Sequence, residues 1–203
     1  MADIKVLDKS VWGKIAAGEV VEKPASIVKE LVENSIDAKA KNITIEIRDG
    51  GTTLISILDD GMGIKKDQLK LAFLPHATSK LKDIDDLYNL QTMGFRGEAL
   101  ASICAVSKVE LTTKTNEDEI GNKIVMQGGE EISINEIACN TGTNIKVTNL
   151  FYNTPARAKF LRKNKTEEND ITSYVEKLML SHKEINFKYI VDDKMIYNTT
   201  NCS

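Results

Sequence analysis

Three polar side chains recur along one predicted helix at a spacing that can support chemistry. Glu30, Asn34 and Asp37 lie in the segment KELVENSID. At 100° per residue they fall within about 60° of one another around the helix. A carboxylate in such a place can take a proton from water, and an amide oxygen one turn away can bind Mg²⁺ without adding negative charge. A solvated helix face would show the same pattern, and the spacing alone leaves both readings open.

A second candidate site follows an apolar stretch, at Asp59-Asp60-Gly61-Met62-Gly63. A carboxylate held at the end of a strand can accept a hydrogen bond from the exocyclic amino group of adenine, whereas guanine presents a carbonyl there and would be repelled. The two glycines leave room for a flat ring to lie against the backbone. As a bare pattern this stretch is equally typical of a turn.

Other segments are suited to phosphate. Residues 93–100 (MGFRGEAL) predict a glycine-flanked loop that enters a helix, where backbone N–H groups can bind an anion. Residues 78–80 (Thr-Ser-Lys) supply hydroxyls and an ammonium group, and Gly142-Thr143 opens a late strand with one hydroxyl. Such residues are also common in ordinary loops. The sequence contains neither a P-loop nor a Gly-x-Gly-x-x-Gly motif, so neither of those nucleotide folds is indicated.

The composition of the 203 residues is ordinary for a globular domain, with 41% hydrophobic residues and a net charge of −3. No apolar run is long enough to cross a membrane, and the first residues do not resemble a secretory signal. We therefore expect a cytoplasmic protein without a membrane partner. The cysteines, Cys104, Cys139 and Cys202, are far apart and unpaired in pattern, so we expect reduced thiols rather than disulfides or a zinc site.

Hydrophobic periodicity supplies the elements that must position these residues. Helices and strands come in blocks rather than in βαβ alternation, which predicts an α+β fold with helices on one face of a sheet. Residues 75–97 are irregular and polar, as in a functional lid. Helices are predicted over 10–20, 24–37, 65–73, 98–105, 156–161 and 167–181. Strands are predicted over 42–49, 53–58, 108–113, 123–127, 132–137, 143–149, 187–191 and 195–197.

Taken together, the order and spacing of the motifs resemble the GHKL ATPases, which include topoisomerase ATPase domains, sensor kinases and heat-shock chaperones. The segments IAAGEVVEKPAS, ELVENSIDA, HATSK, GFRGEALASI and LFYNTPARAKFL more closely resemble the MutL family of bacterial mismatch-repair proteins, from about residue 4 to about residue 190. The sequence departs from that pattern at Asp60, where Asn is frequent, and at Lys39, where Gly is frequent. We expect Asp60 to add negative charge near the nucleotide.

The resemblance implies a GHKL (Bergerat) sandwich, with a mixed, mostly antiparallel sheet, helices on one face and ATP between the helices and a lid. Glu30 would be the catalytic base, Asn34 would hold Mg²⁺, and Asp59 would read the adenine amino group with support from Thr143. ATP would be bound by Asn34, Asp37, Asp59, Gly61, Gly63, Thr78, Ser79, Lys80, Gly94, Phe95, Arg96, Gly97, Leu100 and Thr143.

The resemblance also implies that residues 1–203 are an N-terminal ATP-binding domain of a longer protein. In this family a lysine of a following domain reaches the γ-phosphate, so the isolated chain should bind ATP weakly and hydrolyse it poorly. Lid closure would accompany homodimerisation of the full-length protein through about residues 1–20. A mismatch-recognition protein, a nuclease and a helicase are the implied partners, and DNA would bind without sequence specificity.

The sequence leaves alternative functions open. Nucleotide binding could serve only to assemble a dimer or display a DNA-binding surface, with hydrolysis incidental. A sensor kinase is disfavoured because neither His76 nor His182 has the context of a phospho-acceptor, and residues 151–157 (FYNTPAR) disfavour a topoisomerase. A basic cluster without an acidic residue could attract DNA phosphates or simply form a solvated helix end. Its members are Arg157, Lys159, Arg162, Lys163 and Lys165.

Overall fold

A single sheet of eight strands organises the computed structural model, which describes residues 20–75, 77 and 97–199. The spatial order is β5-β4-β3-β6-β2-β1-β7-β8. Among these residues β1 and β7 pair in parallel, and the other neighbouring strands pair antiparallel. The expected mixed, mostly antiparallel sheet is confirmed. The strands are β1 (Asn42–Arg48), β2 (Leu54–Asp59), β3 (Lys108–Lys114), β4 (Gly121–Gln127), β5 (Glu130–Ile137), β6 (Gly142–Thr148), β7 (Asn186–Val191) and β8 (Lys194–Asn198).

One face of the sheet is buried and the other is polar. In β1, Ile43, Ile45 and Ile47 are buried, while the residues between them are partly or fully exposed. This two-residue alternation is the reason the chain forms strands here, since it gives each strand one apolar side. The helices are α1 (Pro24–Asp37), α2 (Ala99–Val106), α3 (Pro155–Ala158) and α4 (Asn164–Ser181). As expected, α1, α2 and α4 bury apolar side chains in the core on one face, whereas the short α3 buries none of its residues.

Helix α1 has the limits that its sequence predicts. Pro24 occupies the first turn, where its missing N–H is no loss. Ile27 and Leu31 lie on its buried side against the sheet. The helix ends at Asp37, and Lys39 then takes a left-handed backbone conformation with φ of 63°. That conformation costs a non-glycine residue about 1 kcal/mol, which explains why the MutL pattern favours glycine at this position.

The prediction of a helix over residues 65–73 is wrong. The segment forms turns and a short 3₁₀ helix at Leu71–Phe73, and the backbone N–H groups of Gln68, Leu69 and Phe73 each bond three residues back. Two exposed ion pairs join the segment to β5, Lys66 with Glu136 and Lys70 with Glu131.

The bounds of two other predicted helices need small revisions, and two further predictions concern residues that the structure does not describe. The helix expected over 156–161 covers only Pro155–Ala158, and the last helix begins at Asn164 rather than at 167. The helix expected over 10–20 and most of the lid at 75–97 lie outside the described residues. In the part of the chain that the structure describes, no helix is both long enough and apolar enough to span a bilayer.

Candidate functional site

Asp59 is the best-defined polar group on the helix-covered face. It ends β2, is 6% exposed, and receives a 2.7 Å hydrogen bond on Oδ2 from the hydroxyl of Ser35 in α1. The backbone N–H of Gly61 donates to its other oxygen, Oδ1, at 2.9 Å. A helix and a loop therefore fix both oxygens of one carboxylate. The sequence indicated Asp59, whereas the contribution of Ser35 appears only in the structure.

The Asp59 carboxylate is a strong hydrogen-bond acceptor, but burying its negative charge costs free energy. Burial raises the pKa of Asp59 above its usual value, and hydrogen bonds from Ser35, Gly61 and the backbone of Thr143 partly oppose that rise. A carboxylate in this setting gains from any additional donor that a ligand can supply.

Glycines allow the chain to approach closely around Asp59. A side chain at Gly63, whose φ is 71°, would place Cβ 2.2 Å from the carbonyl oxygen of Lys114. At Gly142, with φ of 116°, Cβ would lie 2.0 Å from the carbonyl oxygen of Asp59. At Gly61, Cβ would lie 2.8 Å from Ala38. The packing thus requires Gly61, Gly63 and Gly142, all named from the sequence, and gives each of them a steric reason.

Thr143 lies directly beside Asp59, because the two are paired positions of β6 and β2. Its side chain is partly buried on the same face, with Oγ1 3.3 Å from the hydroxyl of Thr113 in β3. Thr113 is 1% exposed and also receives the N–H of Ile64 at 2.9 Å. Sequence inspection missed Thr113, and only its inward register in an alternating strand signalled that it is buried.

Glu30, Asn34 and Asp37 lie partly buried on α1, the helix that also carries Ser35. The C-terminal end of α1 is joined to the glycine loop, because the N–H of Met62 donates to the carbonyl of Ala38 at 3.0 Å. The three polar residues of α1 and the Asp59 loop therefore belong to one connected unit.

The phosphate-binding prediction is only partly covered by the structure. Gly97, with φ of 62°, and the partly buried Leu100 lie at the start of α2, which contacts α1. The remaining predicted contacts fall outside the described residues, and they stay predictions. These are Thr78, Ser79, Lys80, Gly94, Phe95 and Arg96.

Asp60 adds negative charge beside the candidate site, as the sequence suggested, because its charge helps to raise the pKa of the neighbouring Asp59. The Oδ1 of Asp60 accepts from the backbone N–H groups of Lys41 and Asn42 at 2.7 and 2.8 Å, and its Oδ2 accepts from the Asn42 amide at 2.6 Å. Burial is the largest single influence and opposes ionisation, but the hydrogen bonds together outweigh it and lower the pKa of Asp60. The carboxylate caps the start of β1, which explains why an aspartate is tolerated after Asp59.

The basic cluster is also less cationic than its sequence suggests. Arg162 pairs with the buried Glu167 at 2.9 Å and with Asp170 at 2.7 Å, and Lys165 pairs with Glu168 at 2.6 Å. The expectation of a cluster without acidic neighbours is therefore wrong in three dimensions, because α4 supplies carboxylates to it.

The donor set of α1 suits a hard cation that is shared with a ligand. Asn34 offers an amide oxygen and Glu30 a carboxylate one turn away, and oxygen is the donor that Mg²⁺ prefers. Among the described residues no group of three or more His, Cys, Asp or Glu side chains is placed to hold a metal ion.

Comparison with known proteins decides the family. A family model described as histidine kinase-, DNA gyrase B- and HSP90-like ATPase matches residues 22–154, more than half of the chain. The chain belongs to this family, the GHKL ATPases. It is an ATPase domain with the GHKL fold, as the motifs and the sheet both indicate.

Relatives among the GHKL ATPases are mismatch-repair proteins. The chain is 53% identical over 199 residues to DNA mismatch repair protein MutL of Clostridium tetani, covering 98% of this chain and 32% of that protein. MutL of Clostridium acetobutylicum is 52% identical over 196 residues, with 97% and 32% covered. The chain thus spans about a third of the length of these curated relatives.

A solved structure gives the same result for the fold. The Aquifex aeolicus MutL ATPase domain complexed with ADP superimposes with a TM-score of 0.73 at 29% identity, covering 91% of this chain and 66% of that one. The resemblance to MutL inferred from the motifs is confirmed along nearly the whole chain.

Proposed function

We propose that this GHKL ATPase domain binds ATP with its adenine against Asp59 and hydrolyses it slowly. The observation that carries the proposal is the fixed, buried carboxylate of Asp59, whose two oxygens are held by Ser35 and Gly61. Such a group favours a ligand that brings an amino donor, and adenine has one. The MutL ATPase domain of Aquifex aeolicus, described with ADP, supports this choice of nucleotide.

Glu30 and Asn34 carry out ATP hydrolysis in this proposal. Glu30 takes the proton of the attacking water, a role for which a partly buried carboxylate on a rigid helix is suited. Asn34 holds Mg²⁺ through its amide oxygen, and Mg²⁺ supplies charge neutralisation for the phosphates when it is bound. Asp37, Gly97 and Leu100 complete the wall contributed by α1 and α2.

The lid completes the site. Thr78, Ser79 and Lys80, together with Gly94, Phe95 and Arg96, bind the phosphates in this proposal. Phosphoryl transfer depends mainly on positioning and charge stabilisation, so closure of a lid over the γ-phosphate is the step that assembles the site.

In the whole protein we propose that ATP drives a mismatch-repair cycle. Residues 1–203 form its N-terminal ATP-binding domain, and lid closure joins two copies through about residues 1–20. The homodimer passes the signal from a mismatch-recognition protein to a nuclease and a helicase and contacts DNA without sequence specificity. We place this activity in the cytoplasm. The MutL relatives, which are DNA mismatch repair proteins, support this assignment.

Titration with labelled ATP tests the base-binding part of the proposal. Wild type should bind more tightly with Mg²⁺ than without it, and D59N should lose about tenfold or more in affinity, since the carboxamide cannot provide the same charged acceptor. D60N is the matched control, because Asp60 faces Lys41 and Asn42 instead. Equal binding by wild type and D59N would remove Asp59 from the nucleotide site.

Mass measurement tests the dimer. A chain that includes the following domain should double in mass with a non-hydrolysable ATP analogue and Mg²⁺, and stay monomeric without nucleotide. An unchanged mass across nucleotide conditions would contradict the ATP-driven clamp while leaving ATP binding intact.

A further inference from the structure

The hydroxyl of Thr113 stands at the junction of two chain segments that flank Asp59. It receives the N–H of Ile64, just after the glycine loop, at 2.9 Å. It also lies 2.9 Å from the carbonyl oxygen of Gly142, at the start of β6. Thr113 is 1% exposed, so bulk water cannot replace these contacts.

The direction of these hydrogen bonds is fixed by chemistry. A carbonyl oxygen only accepts, so the single hydroxyl proton of Thr113 must go to Gly142. A backbone N–H only donates, so Thr113 accepts from Ile64. The remaining contact, 3.3 Å from Oγ1 of Thr143, then has one consistent direction, with Thr143 as the donor and Thr113 as the acceptor.

This direction determines what Thr143 can offer to a ligand. With its only proton directed to Thr113, Oγ1 of Thr143 is left with acceptor capacity alone. Thr143 is the cross-strand neighbour of Asp59 and is partly buried on the same face. Two acceptors and no hydroxyl donor then stand side by side, where the end of β2 meets the start of β6.

We propose that Thr113 is a specificity-determining residue that acts through Thr143, by fixing that hydroxyl as an acceptor so that the site favours a purine with an amino group over one with a carbonyl. The proposal rests on the proposed function, in which Asp59 and Thr143 face the base. Thr113 itself touches no nucleotide and is a positioning residue. In its absence the Thr143 hydroxyl is free to rotate and donate to the carbonyl of guanine.

The test compares the ratio of the GTP and ATP dissociation constants among single variants of the whole chain. T113V keeps the shape of the side chain but can neither accept nor donate, and its GTP/ATP ratio should fall by about fivefold. T113S keeps the hydroxyl and should keep the ratio. T112V is the matched control, because Thr112 is the adjacent residue on the opposite face of β3 and is partly exposed.

Each outcome of this test supports or contradicts the proposed role of Thr113. If T113V weakens ATP and GTP equally, Thr113 is merely structural and the proposal fails. If wild type itself does not prefer ATP, Asp59 does not read the base and the proposed function fails with it. If T113V does not fold, T113C replaces it, since a thiol accepts hydrogen bonds only weakly, and an unchanged ratio in T113C would overturn the proposal.

Discussion

Ser35 and Asp59 are joined by a 2.7 Å hydrogen bond that links helix α1 to the end of strand β2. Ser35 lies next to Asn34 and little more than one turn from Glu30, so the link runs from the proposed base-binding carboxylate to the proposed hydrolytic helix. The hydroxyl of Ser35 also lies 3.2 Å from the carbonyl of Leu31. The Ser35 hydroxyl can therefore donate to the Leu31 carbonyl instead when residue 59 does not accept its proton.

This arrangement predicts that D59N leaves the folded protein at least as stable as wild type. The carboxamide can donate to Ser35 while Ser35 donates to Leu31, and its oxygen can still accept from Gly61. Removing a buried charge while the hydrogen bonds with Ser35 and Gly61 are kept should leave the free energy of unfolding level or raise it by about 1 kcal/mol. Urea denaturation measures the free energy of unfolding, and a large destabilisation would contradict this exchange of hydrogen bonds.

The pH dependence of stability should change in the same variant. Because burial raises the pKa of Asp59 above its unfolded value near 3.8, the folded state binds more protons than the unfolded state between the two pKa values. The Asp59 contribution to stability is thus fully present below the unfolded pKa and is lost as pH rises through the folded pKa. The difference between wild type and D59N should therefore widen, in favour of D59N, on going from acid to neutral pH. A flat difference would exclude Asp59 as the titrating group.

Substitution of Glu30 should separate hydrolysis from binding. In a chain that includes the following domain, E30Q should lower the turnover number by about 10²- to 10⁴-fold and change the dissociation constant for ATP by less than about threefold. The physical reason is that glutamine keeps the shape of the side chain but cannot take a proton from water. Single-turnover hydrolysis and equilibrium binding on the same protein measure the two effects.

Glu33 provides the matched control for Glu30, since it is a second partly buried glutamate of α1. Burial raises the pKa of Glu33, and its carboxylate accepts a 3.2 Å hydrogen bond from the hydroxyl of Tyr174 in α4. E33Q retains an oxygen for Tyr174 and should keep turnover within about threefold of wild type. Equal losses in both variants would mean that the charge of α1, rather than Glu30 as a base, supports hydrolysis.

The sequence predicted those parts of the site that depend on local pattern. Helix α1 has its expected limits because an apolar stripe and Pro24 define it, and Asp59 falls at a strand end because the apolar run stops there. The strands on the buried face were predictable for the same reason, since alternation encodes which face is apolar.

The missing parts depend on contacts between distant segments. Nothing local to Ser35 or Thr113 signals their partners. Ser35 bonds to Asp59, 24 residues further along the chain. Thr113 contacts Gly142 and Thr143, which are 29 and 30 residues further along. Sequence reasoning missed the hydrogen bonds of Asp60, because its partners at the start of β1 become neighbours only through the β1–β2 pairing. Residues 65–73 carry a helical pattern, but the segment instead buries Leu69 and Phe73 in the core and forms i−3 hydrogen bonds.

Gly63 and Gly129 form a matched pair for testing the close packing around the site. Both have left-handed backbone, with φ of 71° and 87°, but a Cβ at Gly129 would meet only Ala105 at 3.9 Å. G129A should cost about 1 kcal/mol of unfolding free energy from backbone strain alone. G63A adds a clash with Lys114 and should cost about 3 kcal/mol or more, with weaker ATP binding. Thermal unfolding and ATP titration measure both, and equal costs would show that the loop can move away from β3.

The two lysines of the basic cluster that form no ion pair within the described residues, Lys159 and Lys163, should carry DNA binding if this surface contacts DNA. Replacing both by alanine should weaken binding to duplexes of any sequence and reduce the slope of log K against log salt by about 2, because each lysine releases roughly one counterion. K165A is the control, because Glu168 already neutralises Lys165 at 2.6 Å. Fluorescence anisotropy between about 50 and 200 mM salt measures the slope. If K165A lowers it as much as the double variant, charge is spread over the whole surface, and if neither variant changes it, DNA binds elsewhere on the protein.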